Sequence, residues 1–454
     1  MSTARIASME GEVLELLQAL IRNRCVNDGS PESGHEARSV ATLESYFGHP
    51  GVVVEPAPDR QSVVYRVRGT DSAAPTLLLL GHLDVVPVTE SGWTVDPFGG
   101  EVIDGMVWGR GTVDMLNLTA AMAVAFKPYV TGERRPPDGD LVYVAVADEE
   151  QGGALGAEWL MNNRPDLIDC DYVLTEIAYP SVRTPSRAPV HLVKVAEKGP
   201  AWRLIRGSGV PSHGSQPYGT DNAVVKVAEA ITAIAKAPSP VQITPEWRSF
   251  VEGVGWDSGR VANLLDPDQV DNEIELMAVE DPVLARWVHA CTHLTLSPNI
   301  VSGGAKANTV ADRAVTDVDI RILPGQTEQT VDDHLRKVLG PSYDDLDIEE
   351  AIHFPAGASV AAGPLWEAIG DAYESLTGSR RIVPALTPAT TDARFFRSKG
   401  VTAYGVGLFD DRVALSEFLG MFHGNDERIG VDSLGLTVRL LSLIIERLPE
   451  RANP

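Results

Sequence analysis

Apolar positions along the chain follow two periods that take turns. Val13, Leu14, Leu16, Leu17, Leu20 and Ile21 recur at helical spacing, and a second helix is predicted around Glu36 to Phe47. Ser62 to Val67 then alternates as a half-buried strand, and Thr76 to Leu80 is a continuous apolar run of the kind found in a central strand. Leu116 to Phe126 is rich in Ala and Leu and predicts a helix, Asp140 to Ala147 a strand, Ala154 to Asn163 a helix stopped by Pro165, and Tyr172 to Thr175 another strand. Strands that alternate with helices imply an α/β sandwich around a mostly parallel sheet, whose ligand sites gather at the carboxyl ends of its strands.

The texture changes between Tyr179 and Pro189, where Pro180, Pro185 and Pro189 interrupt any regular element. Beyond this break the pattern predicts a long strand at Val190 to Arg206, a helix at Asn222 to Ala235, an alternating strand at Ala314 to Leu323, a helix at Glu328 to Val338 and a strand at Ile348 to Phe354. Two helices among antiparallel-type strands describe a small α+β unit inserted into the larger one. The chain returns to the first unit with a helix at Pro364 to Leu376, a strand near Val401 to Val406 and a closing helix at Ser433 to Leu448. The expected organisation is a catalytic domain in two parts, 1–189 and 357–454, with an inserted lid or dimerisation domain at 190–356.

Composition narrows the function classes. A formal net charge of -25 repels polyanions, so nonspecific binding to nucleic acid or to an anionic membrane is not expected, and an anionic substrate must meet a local cation. No segment approaches the roughly 20 consecutive apolar residues that span a bilayer. Cys25, Cys170 and Cys291 show no paired spacing, so a disulfide framework is not expected and the cytoplasm is the natural compartment.

Candidate chemistry sits where the predicted strands end. His82 and Asp84, in Gly81-His82-Leu83-Asp84, lie two apart and point to one face. Alone, such a pair is more often structural than metal-binding. Asp114 follows Gly109-Arg110-Gly111 and precedes a helix, where it can cap that helix or bridge two cations. Asp148-Glu149-Glu150 leaves a strand directly, and adjacent carboxylates repel unless a cation or a shared proton relieves them. Glu176 ends the next strand, and His423 lies in a polar loop before the last helix. Hard oxygen and imidazole donors that recur at strand ends are how a chain assembles a site for two divalent metal ions.

The order and surroundings of these residues resemble the M20 family of metallopeptidases and amidohydrolases, which includes aminoacylases, Gly-X carboxypeptidases and dipeptidases. The resemblance rests on Gly81-His82-Leu83-Asp84, the block from Gly92-Trp93 through Asp96-Pro97-Phe98 to Gly109-Arg110-Gly111 and Asp114, Asp148-Glu149-Glu150 with Gly152-Gly153, and the late His423. It implies one metal ion held by His82, Asp114 and Glu176 and a second held by Asp114, Glu150 and His423. The usual ion is zinc, and cobalt or manganese suits the same donors. Asp84 would orient His82, and Glu149 would be the general base that takes a proton from water and passes it to the leaving amine. In the inserted unit, Ser212-His213-Gly214 matches the family's lid histidine motif, which implies that His213 donates to the oxyanion, often from the partner subunit of a homodimer. Asn308 and Arg321 match positions that grip a substrate carboxylate, although Arg321 can equally be a strand arginine in an ion pair.

Departures from the family pattern touch the pocket lining and spare the expected ligands. They are Met115-Leu116-Asn117 after the expected bridging aspartate, Ile177-Ala178 after Glu176, and Ala389 to Arg394 where a glycine pair is usual. The sequence therefore predicts a dinuclear metal-dependent hydrolase that cleaves an amide bond next to a free carboxylate, in an N-acyl amino acid or a short peptide. Two rivals differ in their demands: an aminopeptidase would need an acidic pocket for a free amine, and a non-catalytic binding protein of the same fold would not need Glu149.

Overall fold

The computed structural model describes residues 3–184 and 187–452 of the chain. Pro185, one of the prolines in the predicted break, lies outside the described residues.

A ten-stranded sheet forms the centre of the larger unit. Its middle is parallel, with Leu141–Val146, Leu77–His82, Tyr172–Thr175 and Thr402–Gly405 side by side in that order. Every residue of Leu77–His82 and Leu141–Val146 is buried, as a parallel strand covered on both faces requires. Alternate side chains feed two cores. Leu77, Leu79, Tyr143 and Ala145 pack under the helices Thr3–Arg22, Leu116–Val130 and Val431–Ala452, while Leu78, Leu80, Val142 and Val144 pack with Ala157, Leu160 and Phe396 on the other face. Gly81 lets the helix Leu116–Val130 approach closely, since a Cβ there would stand 2.4 Å from the Thr119 hydroxyl.

The long strand expected at Val190 to Arg206 is two strands on two sheets. Arg187–Glu197 joins the large sheet, parallel to Ile382–Thr387, and Gly199–Ser208 joins a four-stranded antiparallel sheet. Glu197-Lys198-Gly199-Pro200 marks the point where the chain changes sheets, since Pro200 cannot donate to a ladder and Gly199-Pro200 breaks a regular strand. The smaller sheet runs Thr295–Gly303, Arg313–Ile322, Gly199–Ser208, Leu346–His353, and one face is covered by the helices Ala223–Lys236 and Glu328–Leu339. Thr295–Gly303 is an edge strand on which Ile300 and Val301 are exposed.

Between these elements the chain forms four helices that are not among those predicted above: Pro245–Val254, Ser258–Leu264, Val270–Glu280 and Pro282–Thr292. They belong by sequence to the inserted segment but pack on the large sheet. Trp247, Phe250 and Trp287 join its core, with ring centroids 5.3–6.0 Å apart, and Gly253 lies against Val383. The signal for the first is present: Trp247, Phe250, Val251 and Val254 fall at helical spacing behind the Thr244 cap and Pro245. None of the described helices is long and apolar enough to cross a membrane.

If this packing holds the insert, Trp247→Ala should lower the unfolding free energy by roughly 3–5 kcal/mol, read from urea denaturation. A loss below about 1 kcal/mol would mean that Trp247 is not a core residue.

Candidate metal centre

Adjacent parallel strands deliver the first donors to one end of the sheet. His82 is the last residue of its strand and pairs in register with Val146, so the turn that begins at Asp148 emerges beside it. Glu176 follows the next strand directly. The remaining donors come from a small three-stranded sheet in which Arg428–Gly430 pairs with Met106–Trp108, tying the His423 loop to the loop that carries Asp114.

These residues converge as two triads that share one member. Donor atoms of His82, Asp114 and Glu176 lie within 4.8 Å of one another, and so do those of Asp114, Glu150 and His423. Asp114 divides its oxygens between them: Oδ1 is 3.3 Å from His82 Nε2, and Oδ2 is 3.4 Å from His423 Nε2. His423 Nε2 is 3.3 Å from Glu150, and His82 Nε2 is 3.8 Å from Glu176. Donors placed 2.0–2.2 Å from one tetrahedral ion stand roughly 3.3–3.5 Å apart, so these separations suit divalent cations. Glu150 Oε1 is buried with no hydrogen-bond partner, which also fits an ion in place of a protein donor.

Charge is concentrated here to a degree that a solvated surface would not need. Burial, with the Asp114 charge beside it, pushes Glu150 up to about 7. Burial and the neighbouring Glu176 charge drive Glu149 well above the usual carboxylate range. Burial pushes Asp114 upward as well, but hydrogen bonds from His423 and His82 outweigh it and hold the carboxyl far below that range. The bonds to Asp114 and Glu150 raise His423 to about 10. Asp392 lies in the same region with both oxygens unpartnered, and burial lifts it to about 7.

A mesh of buried groups fixes the donors from behind. His82 Nδ1 hydrogen-bonds the Asp84 backbone carbonyl at 2.9 Å, while the Asp84 carboxylate stands 3.6 Å from that nitrogen. The carboxylate instead accepts from Asn27 and from the backbone N–H groups of Glu149 and Glu150, so its main contacts are with the acidic turn. Asp148 points away from the triads to Arg60, which also binds Glu36. Of the three consecutive acids, Asp148 thus pairs with an arginine, Glu150 joins a donor set and Glu149 belongs to neither.

Glu427 is the residue that reasoning from the sequence misses. Fully buried, it accepts from the backbone N–H groups of Gly111, Val113 and Asp114 and from Arg110 at 2.8 Å, and so shapes the loop on which Asp114 sits. Its position four residues after His423 is the available signal, but nothing in a polar loop separates it from Asp426.

The triads open into a cleft of about 930 Å³ that also exposes Glu149. Arg321 lines this cleft with its Nε and Nη2 bonded to Asp319. His213 and Asn308 stand together in the smaller unit, where Gly214 N–H donates to the Asn308 carbonyl, and neither borders the cleft of its own chain.

Fold and site together define a hydrolase with a parallel-sheet core, acidic and imidazole donors at its strand ends, and an inserted α+β unit. The chain belongs to the peptidase family M20/M25/M40, whose profile matches residues 78–447. It is 23% identical over 417 residues to human N-fatty-acyl-amino acid synthase/hydrolase PM20D1, covering 87% of this chain and 78% of that one. A probable carboxypeptidase S-like 2 of Dictyostelium discoideum is 24% identical over 384 residues, covering 82% of this chain and 71% of the relative. Among solved structures, the M20 metallo-carboxypeptidase Sso-CP2 of Sulfolobus solfataricus shares the fold with a TM-score of 0.73 at 17% identity, covering 97% of this chain and 99% of the other.

Glu427→Ala would leave the buried Arg110 guanidinium unpaired and three backbone donors unsatisfied. It should destabilise the protein by roughly 3–5 kcal/mol in chemical denaturation. A variant as stable as the parent would show that Glu427 does not hold this loop.

Proposed function

We propose that the protein hydrolyses an amide bond next to a free carboxylate, in an N-acyl amino acid or a short peptide, using two divalent cations held by the two donor sets. The observation that carries this reading is the division of Asp114 between the triads, with Glu149 left beside them on the cleft. His82, Asp114 and Glu176 would hold one cation, and Asp114, Glu150 and His423 the other. Zinc is the expected ion, and cobalt or manganese fits the same donors. Such a pair supplies Lewis-acid polarisation of the amide carbonyl and makes the attacking water more acidic.

The chain's own residues would do the rest. Glu149 takes a proton from the attacking water and delivers it to the leaving nitrogen, a task for which its raised proton affinity is suited. Asp84 holds the turn that aims Glu149 and Glu150. Arg321 keeps Nη1 outside its bond to Asp319 and offers it to the substrate carboxylate. An N-acyl amino acid and a peptide with a free C-terminus share that carboxylate, in line with the named activities of the two relatives. Away from the donor sets and Glu149, the cleft carries Arg286, Arg321 and Arg394 against one acid, Glu158, a balance that favours a substrate carboxylate over the free amine an aminopeptidase must hold.

His213 and Asn308 stand away from their own cleft, so we assign them to the cleft of a second copy in a homodimer. The exposed edge strand Thr295–Gly303 would extend the interface by strand pairing. The three cysteines are unpaired, and we take the reducing cytoplasm as the protein's compartment.

A screen of N-acyl amino acids and dipeptides should find hydrolysis that a chelator abolishes and added metal restores. Glu149→Gln should keep its metal by elemental analysis while kcat falls by about 10²–10⁴-fold. Loss of metal along with activity would assign Glu149 to the ligands instead. Mixing His213→Ala with Glu149→Gln should restore part of the activity, because a mixed dimer contains one cleft with both groups. No recovery after subunit exchange would place His213 in its own chain's site or outside catalysis.

A further inference from the structure

One wall of the cleft comes from the four-helix insert. Val283, Arg286, Trp287 and Ala290 of the helix Pro282–Thr292 face the cavity beside Tyr179, three residues beyond Glu176, and Phe422, next to His423. The wall therefore adjoins both donor sets. Its body is apolar and aromatic: the Tyr179 and Trp287 rings meet edge to face at 6.2 Å, and Trp287 is locked against Trp247 and Phe250.

Its polar atoms lack partners. Trp287 Nε1 and the Tyr179 hydroxyl are both buried without a hydrogen bond of ordinary geometry, although Thr387 and Trp287 lie close enough to Tyr179 to oppose part of the rise that burial gives its phenol. Arg286 is exposed and has no ion pair among the described residues. The other cleft cations each have a partner within the chain, although Arg321 keeps one nitrogen, Nη1, outside its pair. Arg321 is bonded to Asp319, His353 to Glu328, and Arg394 lies between Phe354 and Phe395 while donating to the Thr391 and Gly152 carbonyls. An indole N–H and a guanidinium can only donate, so the wall offers hydrogen to an oxygen acceptor, and its charge favours an anion.

We propose that Arg286, backed by Trp287 and Tyr179, is a specificity site for a carboxylate carried on the acyl side of the scissile amide, at the end of an apolar spacer that lies along Val283 and Ala290. This rests on the hydrolase reading above and adds a second anionic group to the substrate, across the reacting bond from the carboxylate assigned to Arg321. Two sources carry that chemistry: an ω-carboxyacyl group on an amino acid, and an acidic residue at the acyl position of a dipeptide.

Matched substrates separate the two. N-suberoyl and N-octanoyl derivatives of one amino acid form the first pair, and Glu-X and Gln-X dipeptides the second. In one pair or both, the acidic member should exceed its neutral partner by about tenfold in kcat/KM. Whichever pair responds identifies the source. Arg286→Met should erase that preference while changing the neutral substrate by no more than about twofold, and Trp287→Phe, which keeps the ring and removes the N–H, should reduce it in part. No preference in the parent, or equal slowing of both members by Arg286→Met, would overturn the proposal. Hydrolysis of acetyl amino acids alone would sink this site and leave the hydrolase reading intact. If the metal-loaded protein hydrolysed nothing, that reading would fall, and calorimetry would still decide this one: suberate should bind the parent more tightly than octanoate does, and Arg286→Met should weaken suberate alone.

Discussion

The structure depends on one electrostatic problem, the crowding of carboxylates at the end of a buried sheet. Asp84, Asp114, Glu149, Glu150, Glu176 and Asp392 meet there with two imidazoles, His82 and His423, set against them. Burial alone would drive such groups to hold protons, and several are driven that way. On the function proposed above, divalent charge between the triads would relieve the repulsion without protons and leave Glu149 free to carry one. Buried side chains around the site bear this load: Arg60, itself held by Glu36, anchors Asp148, Asn27 links Asp84 to Asp148, and Glu427 with Arg110 clamps the Asp114 loop.

Much of this is legible in the sequence because strand ends are legible. Apolar runs such as Leu77–Leu80 announce buried parallel strands, and the residues that follow them must emerge at one edge of the sheet. The family resemblance then joins His423, more than 200 residues away, to donors that periodicity alone could not bring near it. What stays hidden is whatever depends on tertiary pairing. Glu427 matters because three backbone N–H groups and a guanidinium converge on it, and no local pattern encodes that. The break between Glu197 and Gly199 differs, because the Gly199-Pro200 pair beside it is a local breaker signal.

Two additions to the sheet divide the cleft between them. The antiparallel unit brings Trp202, Arg321 and Phe354 to one side, and the helical insert brings Val283, Arg286 and Trp287 to another. Because the insert is part of the large core, its wall is fixed relative to the donor sets. On the proposals above, selectivity would sit on a rigid helix, and His213 and Asn308 would act only across a homodimer.

Calorimetric titration of zinc or manganese into chelator-treated protein, with Asp114→Asn studied in parallel, tests the central claim most directly. The account predicts two bound ions per chain in the parent and loss of that pair in the variant, because one side chain serves both positions. Undiminished two-ion binding by Asp114→Asn, or no binding by the parent, would contradict it.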